Sequence, residues 1–153
     1  MLRLLLAWSH LIALGIGLYA VWARAAALSP GYDDRGLRRA FAADAAWGGA
    51  AGLWIATGLW RLFAGTEKAT GYYLRNDAFL AKMGLLLLII VLEVWPMITL
   101  VRWRVARGKG TLGLAATAGA ARRIAVVSRV QAALVVAMVM LAVAMARGYG
   151  ARG

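Results

Sequence analysis

The chain has 153 residues, of which 63% are apolar; it contains no cysteine and carries a formal net charge of +12. The missing cysteines exclude disulfides, thiolate metal sites and covalent c-type haem attachment. The apolar content exceeds what a soluble domain of this length needs, so the charge reads as basic loops beside anionic lipid headgroups, with no nucleic-acid partner.

Four apolar stretches reach the roughly 20 residues a spanning helix requires: 4–28, 40–63, 78–101 and 124–146. They are solid runs without period-2 alternation, so they predict helices rather than barrel strands. The expected fold is all-α, a four-helix transmembrane bundle forming one integral membrane domain over 1–153. The first stretch is longer than a usual signal-peptide core and holds a histidine, so it reads as a retained helix.

The basic residues set the orientation. Arg35, Arg38 and Arg39 of the first loop, with Arg24 at its edge, lie on the same side as Arg102, Arg104, Arg107, Lys109, Arg122 and Arg123 of the third. Arg3, Arg61, Lys68, Arg75, Arg147 and Arg152 lie on the other. The larger set should face the cytoplasm, which puts both termini on the outer, periplasmic side of a bacterial cytoplasmic membrane.

Along helix 1, Arg3, His10, Gly17 and Arg24 are seven apart and fall on one stripe, with Ala13 and Ala20 filling the same face. Small residues on such a face admit a neighbouring helix or a flat ligand. Pro30 and Gly31 stop the helix, and the acidic pair Asp33 and Asp34 follows. Helix 2 carries a GxxxG step at Gly48 and Gly52 and a seven-residue repeat of Trp47, Trp54 and Arg61. The loop after it holds Glu67, Lys68, Tyr72, Tyr73, Arg75 and Asn76, and is expected either to cover the helix ends as a lid or to lie along the interface. On helix 3, Lys82 and Glu93 are eleven residues apart, about 16 Å along one face. Pro96 deprives the Leu92 carbonyl of its helical donor, which predicts a kink beside Glu93.

Sorting the buried polar residues by depth gives two layers. The inner layer groups Asp44 and Glu93 with Arg129, and Gln131 lies close by. Such a set either holds helices in register or forms a proton or anion path. The outer layer holds His10 and Lys82, with Thr57 and Trp54 at the same depth and Arg61 above. A neutral imidazole on a small-residue face suits an axial haem ligand. In that reading His10 binds the iron of haem b, Gly17 makes room for the porphyrin plane, and Lys82 and Arg61 meet the porphyrin carboxylates. The alternative is a histidine that packs like any aromatic and bonds a neighbouring carbonyl. One histidine excludes bis-histidine ligation within one chain.

The segments FAADAAWGGAAGLWIATGLWR (41–61), NDAFLAKMGLLLLIIVLEVWPMITLVRWR (76–104) and MARGYG (145–150) resemble a family of uncharacterised short four-helix bacterial inner-membrane proteins. An early-helix His with the later FLAKMGLLLLII start is more distantly similar to the oxygen-independent four-helix protoporphyrinogen oxidases, and the layout to copper-resistance D-type membrane proteins. The oxidase resemblance implies haem b ligated by His10, with Lys82 as the candidate catalytic residue, acting as a substrate-carboxylate or proton partner. The leading expectation is therefore a small haem- or porphyrin-associated redox membrane protein. The alternatives are a non-enzymatic accessory subunit or assembly factor, alone as a homo-oligomer or in a larger complex, and a proton-coupled carrier using Asp44, Glu93 and Arg129.

Overall fold

The apolar runs fold as helices because lipid-facing backbone must satisfy its own hydrogen bonds. The computed structural model describes residues 1–63 and 76–150. Among them lie four α-helices: α1 (Leu2–Ala27), α2 (Asp34–Phe63), α3 (Asp77–Gly108) and α4 (Leu114–Ala146). Of the loop expected to act as a lid, 65–77, only Asn76 and Asp77 lie within the described residues, at the start of α3.

Three of the helices, α1, α3 and α4, are long and apolar enough to cross a membrane. With 30 residues, α2 is longer than α1, but its Gly, Trp and Arg content lowers its apolarity, so it falls short of that standard. Helices also run past the expected spans. Thus α2 begins at Asp34 rather than residue 40, α3 continues to Gly108 rather than 101, and α4 begins at Leu114 rather than 124. The added turns are rich in Arg, Leu and Ala, which are strong helix formers, so the helix continues where the apolar run ends. The expected long basic loop after α3 shrinks to residues 109–113. Through Pro96, which packs inside, α3 remains one helix.

Neighbours in sequence run antiparallel. Helix α1 packs on α2 and α4, and α3 packs on α4. Burial is inside-out relative to a soluble protein. Leu4, Trp8, Leu11, Leu87, Val91 and Met140 are exposed, while Ala13, Ala20, Ala40, Ala121 and Ser128 are buried. Small residues inside let the helices approach closely, and the large apolar residues face outward, as a lipid-facing protein requires. The interior forms two apolar clusters. One centres on Val21, Trp47, Trp54, Ile89, Val135 and Met138, and the other on Leu28, Leu37, Leu100, Trp103, Ala121 and Ile124.

Local chemistry fixes the ends. Asp33 Oδ1 accepts the Gly36 amide at 2.7 Å, which caps α2 and holds the Asp33 carboxyl below its usual range. Asp34 accepts two bonds from Arg107 of α3, at 2.9 and 3.0 Å, and a further one from Arg38. Arg107, then Arg38, holds the Asp34 carboxyl below its usual range as well. Tyr32 and Thr117 share a hydrogen bond across the same end.

At the opposite end Asn76 is fully buried and caps α3 by accepting the Phe79 amide at 3.1 Å. Its amide donates to the Tyr149 carbonyl at 3.3 Å, and the Asp77 amide donates to the Gly150 carbonyl at 2.8 Å. The MARGYG tail is thereby fastened to the start of α3. Gly150 has φ +81, and a Cβ there would lie 2.9 Å from the Ala78 amide nitrogen, so only glycine suits the position.

Candidate functional site: two polar layers within the bundle

One layer is organised by Arg24, which is fully buried near the end of α1. Its Nε donates to Ser128 Oγ at 2.9 Å. Nη1 donates to Asp44 Oδ1 at 2.9 Å and Glu93 Oε1 at 2.6 Å; Nη2 donates to Glu93 Oε2 at 2.8 Å and Gln131 Oε1 at 2.9 Å. A guanidinium has five N–H donors, and all of them are used. Each of the other three helices supplies at least one partner: Asp44 from α2, Glu93 from α3, and Ser128 and Gln131 from α4. Gln131 also donates to Glu93 Oε2 at 2.8 Å and to the Ile89 carbonyl at 3.2 Å. Asp44 Oδ2 receives a second cation, Arg104 Nη2, at 2.9 Å, and Arg104 sits over the Phe41 ring. The cluster balances two guanidinium groups against two carboxylates.

Asp44, Glu93 and Gln131, expected at one depth, come together in the structure. The cation expected with them was Arg129, and this is corrected: Arg129 is exposed on the outer face of α4. Ser128 and Gln131 are three apart and face inward, whereas residue 129 is turned about 100° from 128. Arg24 lies on the His10 stripe at the edge of the first loop, where its charge reads as part of the basic end. Its position within the last turn of α1, level with Asp44, was the missed signal.

The second layer lies at the other end. His10 Nδ1 and Thr57 Oγ1 are 2.9 Å apart. The Thr57 hydroxyl has one hydrogen, and it is directed at its own helix, with the Leu53 carbonyl at 2.7 Å and the Trp54 carbonyl at 3.1 Å. With the Thr57 hydrogen on its own helix, Thr57 accepts from His10 Nδ1; that arrangement is the tautomer with the proton on Nδ1 rather than Nε2. The Trp54 ring lies 5.6 Å from the imidazole, centroid to centroid. Gly58 makes the close approach feasible, since a Cβ there would stand 3.2 Å from His10 Cε1. Sequence reasoning missed Gly58 because one glycine among several on α2 carries no distinguishing pattern.

His10, Trp54, Arg61 and Lys82 line one cavity of about 440 Å³, whose remaining wall is mostly apolar residues of α1 and α4, including Met138 and Met145. A smaller space of about 70 Å³ lies against the α2 and α3 side of the same His10, Trp54, Lys82 and Met138 wall. The expected outer grouping of His10, Lys82, Trp54 and Arg61 is thus assembled around a real volume. Gly17 does not contribute to it, which corrects the expectation that it makes room for a ligand plane. It is buried against Trp47 and Ala50, and a Cβ there would lie 3.3 Å from the Trp47 ring. The indole occupies the space that the small residue leaves.

Among the described residues no group of three or more His, Cys, Asp or Glu is placed to hold a metal ion.

The family model described as "Predicted membrane protein (DUF2214)" matches residues 2–150. No curated protein matches the chain. No solved structure matches it either.

Proposed function

The chain belongs to the predicted membrane protein family DUF2214, and we propose that it is a small porphyrin- or haem-binding protein of a bacterial cytoplasmic membrane. In this reading all four helices cross the bilayer. Helix α2 does so because its 30 residues reach about 45 Å and it is tied along α1 by the Arg24–Asp44 and His10–Thr57 pairs. The basic end around Arg35, Arg38, Arg107, Lys109, Arg122 and Arg123 faces the cytoplasm and anionic headgroups. Both termini then lie outside.

The observation that carries this proposal is the His10–Thr57 pair at the wall of the cavity. A metal-ligating histidine characteristically donates its other N–H to a fixed acceptor, which sets the tautomer and the ring orientation. Thr57 does this for His10 and leaves Nε2 as the basic atom. Lys82 and Arg61 supply positive charge for porphyrin carboxylates, and Met138 and Trp54 supply apolar wall. When bound, haem would supply one-electron redox chemistry; the chain binds, orients and encloses it.

An oxidised-minus-reduced visible spectrum of the purified protein, beside His10→Ala, tests this. A Soret band that shifts on reduction and disappears in the variant supports ligation by His10. A wild-type protein that stays colourless after haem supplementation overturns it.

One observation favours a second reading, an accessory subunit or homo-oligomer. Gly48 and Gly52 of α2 face outward with open space around the position of a Cβ, which leaves room for another helix. Stoichiometric copurification of a partner, with no pigment, would support it. In the inner cluster every donor of Arg24 is bonded, whereas the buried Arg104 Nε has no hydrogen-bond partner among the described residues.

A further inference from the structure

Gly119, Arg122, Arg123, Val126 and Val127 are spaced three and four apart, so they share one face of α4. With Trp95 of α3 they line an open groove of about 680 Å³. Arg122 and Arg123 stand immediately before Ile124, where the apolar run 124–146 begins, and Val126 and Val127 lie inside that run. The groove thus passes from two cations to an apolar floor, as a bilayer passes from headgroup to hydrocarbon. The exposed Trp95 suits the same boundary. Both arginines are exposed, and among the described residues no carboxylate lines the groove with them. The acids at this end are already held: Asp34 by Arg107 and Arg38, Asp44 by Arg24 and Arg104, and Glu93 by Arg24. Asp33 caps α2 through the Gly36 amide. The two cations therefore take their counter-ion from outside the chain. The planar fork of arginine matches a phosphate as it does a carboxylate, and basic pockets between membrane helices suit lipid headgroups.

We infer that this groove between α3 and α4 binds an anionic phospholipid, with its phosphate on Arg122 and Arg123 and an acyl chain along Val126 and Val127. A headgroup without an ammonium of its own fits best, because an ammonium would bring a third cation to the two arginines. The site is one built place, distinct from the diffuse attraction of the whole basic end to a charged surface. It rests on membrane location alone and needs neither His10 nor a pigment.

The test is a lipid titration of the full-length, delipidated protein in neutral detergent, read by native mass spectrometry. The probes are phosphatidylglycerol and phosphatidylcholine with identical acyl chains. Phosphatidylglycerol is expected to bind about ten-fold or more tightly than phosphatidylcholine. Arg122→Gln/Arg123→Gln should weaken phosphatidylglycerol about ten-fold or more. Arg35→Gln/Arg39→Gln removes the same charge from exposed positions of α2 and should stay within about two-fold of the wild type. Equal binding of the two lipids, or equal weakening by the two arginine pairs, overturns the site. Gly119→Glu tests it with both arginines in place. The position has open space around a Cβ, and a carboxylate there lies one turn from Arg122 and Arg123, where it competes with the phosphate. Gly119→Glu should weaken phosphatidylglycerol clearly more than Gly119→Gln does, and equal affinity in the two overturns the site. Displacement of the lipid by equimolar inorganic phosphate overturns it too. So does a lipid-free dimer that Gly119→Gln breaks, which would give the groove to a second copy of the chain.

Discussion

Arg24 and Glu93 form a two-pronged ion pair, 69 residues apart in sequence, with guanidinium nitrogens 2.6 and 2.8 Å from the two carboxylate oxygens. The planar fork of arginine matches a carboxylate in a way that a lysine ammonium does not. Because the same guanidinium reaches Asp44, Ser128 and Gln131, one side chain fixes the rotation and depth of all four helices. Removing it would strip Glu93 of its cation and leave Asp44 with Arg104 alone. Arg24→Leu is therefore expected to destabilise the fold by about 3–5 kcal/mol. Arg24→Lys should recover only part of this, since it restores charge without the fork. Arg129→Ala, one position from Ser128 but exposed, should stay within about 0.5 kcal/mol of the wild type. Chemical denaturation in one detergent would rank the three. A destabilising Arg129→Ala beside a neutral Arg24→Leu would refute the assignment of Arg24 as the hub.

Acid should loosen the end of the bundle that carries Asp33 and Asp34. Both carboxyls are held below their ordinary value of 3.8, Asp33 by the Gly36 amide and Asp34 by Arg107 and Arg38. A group held lower in the folded chain binds fewer protons when folded, so its contribution is present above that ordinary value. It is lost as pH falls below 3.8 and through the folded value. Both groups are exposed, so salt should screen the effect. Melting temperatures measured from pH 6 downward should fall less steeply for Asp34→Asn than for the wild type. Parallel curves would show that the Asp34–Arg107 pair adds nothing.

How much of this was visible in the sequence depends on what each residue's pattern encodes. The helices were legible, because solid apolar runs admit little else in lipid. Their ends were not, because arginine-rich turns are good helix formers yet read as loop by apolarity alone. This is why α4 begins ten residues before the expected span. Depth along each helix was also legible, and it placed Asp44 with Glu93 and His10 with Lys82. Rotation about each axis was not. Arg129 and Ser128 share a depth and differ only in direction, so the cation was assigned to the wrong residue. The lost role of Gly17 has a similar cause. A small residue announces close approach, but only packing shows that Trp47 is what approaches. The Tyr149–Gly150 contact with the start of α3 joins residues more than 70 positions apart and had no local signal.

That tail contact makes its own prediction. Gly150 needs φ +81, and the nearest atom to an added Cβ is a backbone nitrogen that cannot move aside. Gly150→Ala is expected to cost about 1–2 kcal/mol locally. The substitution should release the Gly150 carbonyl from the Asp77 amide without affecting the Arg24 layer at the far end. Hydrogen exchange at Asp77 should speed up while exchange near Asp44 and Gln131 stays slow. Unchanged protection at Asp77 would mean that the tail does not hold the start of α3.

The last prediction separates Thr57 from an ordinary packing residue. With its hydroxyl hydrogen on the backbone of α2, its oxygen accepts from His10 Nδ1, which selects the tautomer protonated there. Thr57→Val keeps the shape and the branched carbon but removes that acceptor. The imidazole then loses both its orientation and the partner that fixes its tautomer. Outer partners of this kind are typically worth about 10–100-fold in the affinity of a metal for its ligand set. Haem affinity in Thr57→Val should therefore fall by at least about ten-fold, with a shifted Soret band where haem remains bound, whereas Thr57→Ser should stay close to the wild type. The contrast matters because a purely structural threonine would predict the reverse: valine would pack as well as threonine, and serine would leave a gap. Retained haem affinity in Thr57→Val, with loss in Thr57→Ser, would remove the tautomer argument from the case for His10.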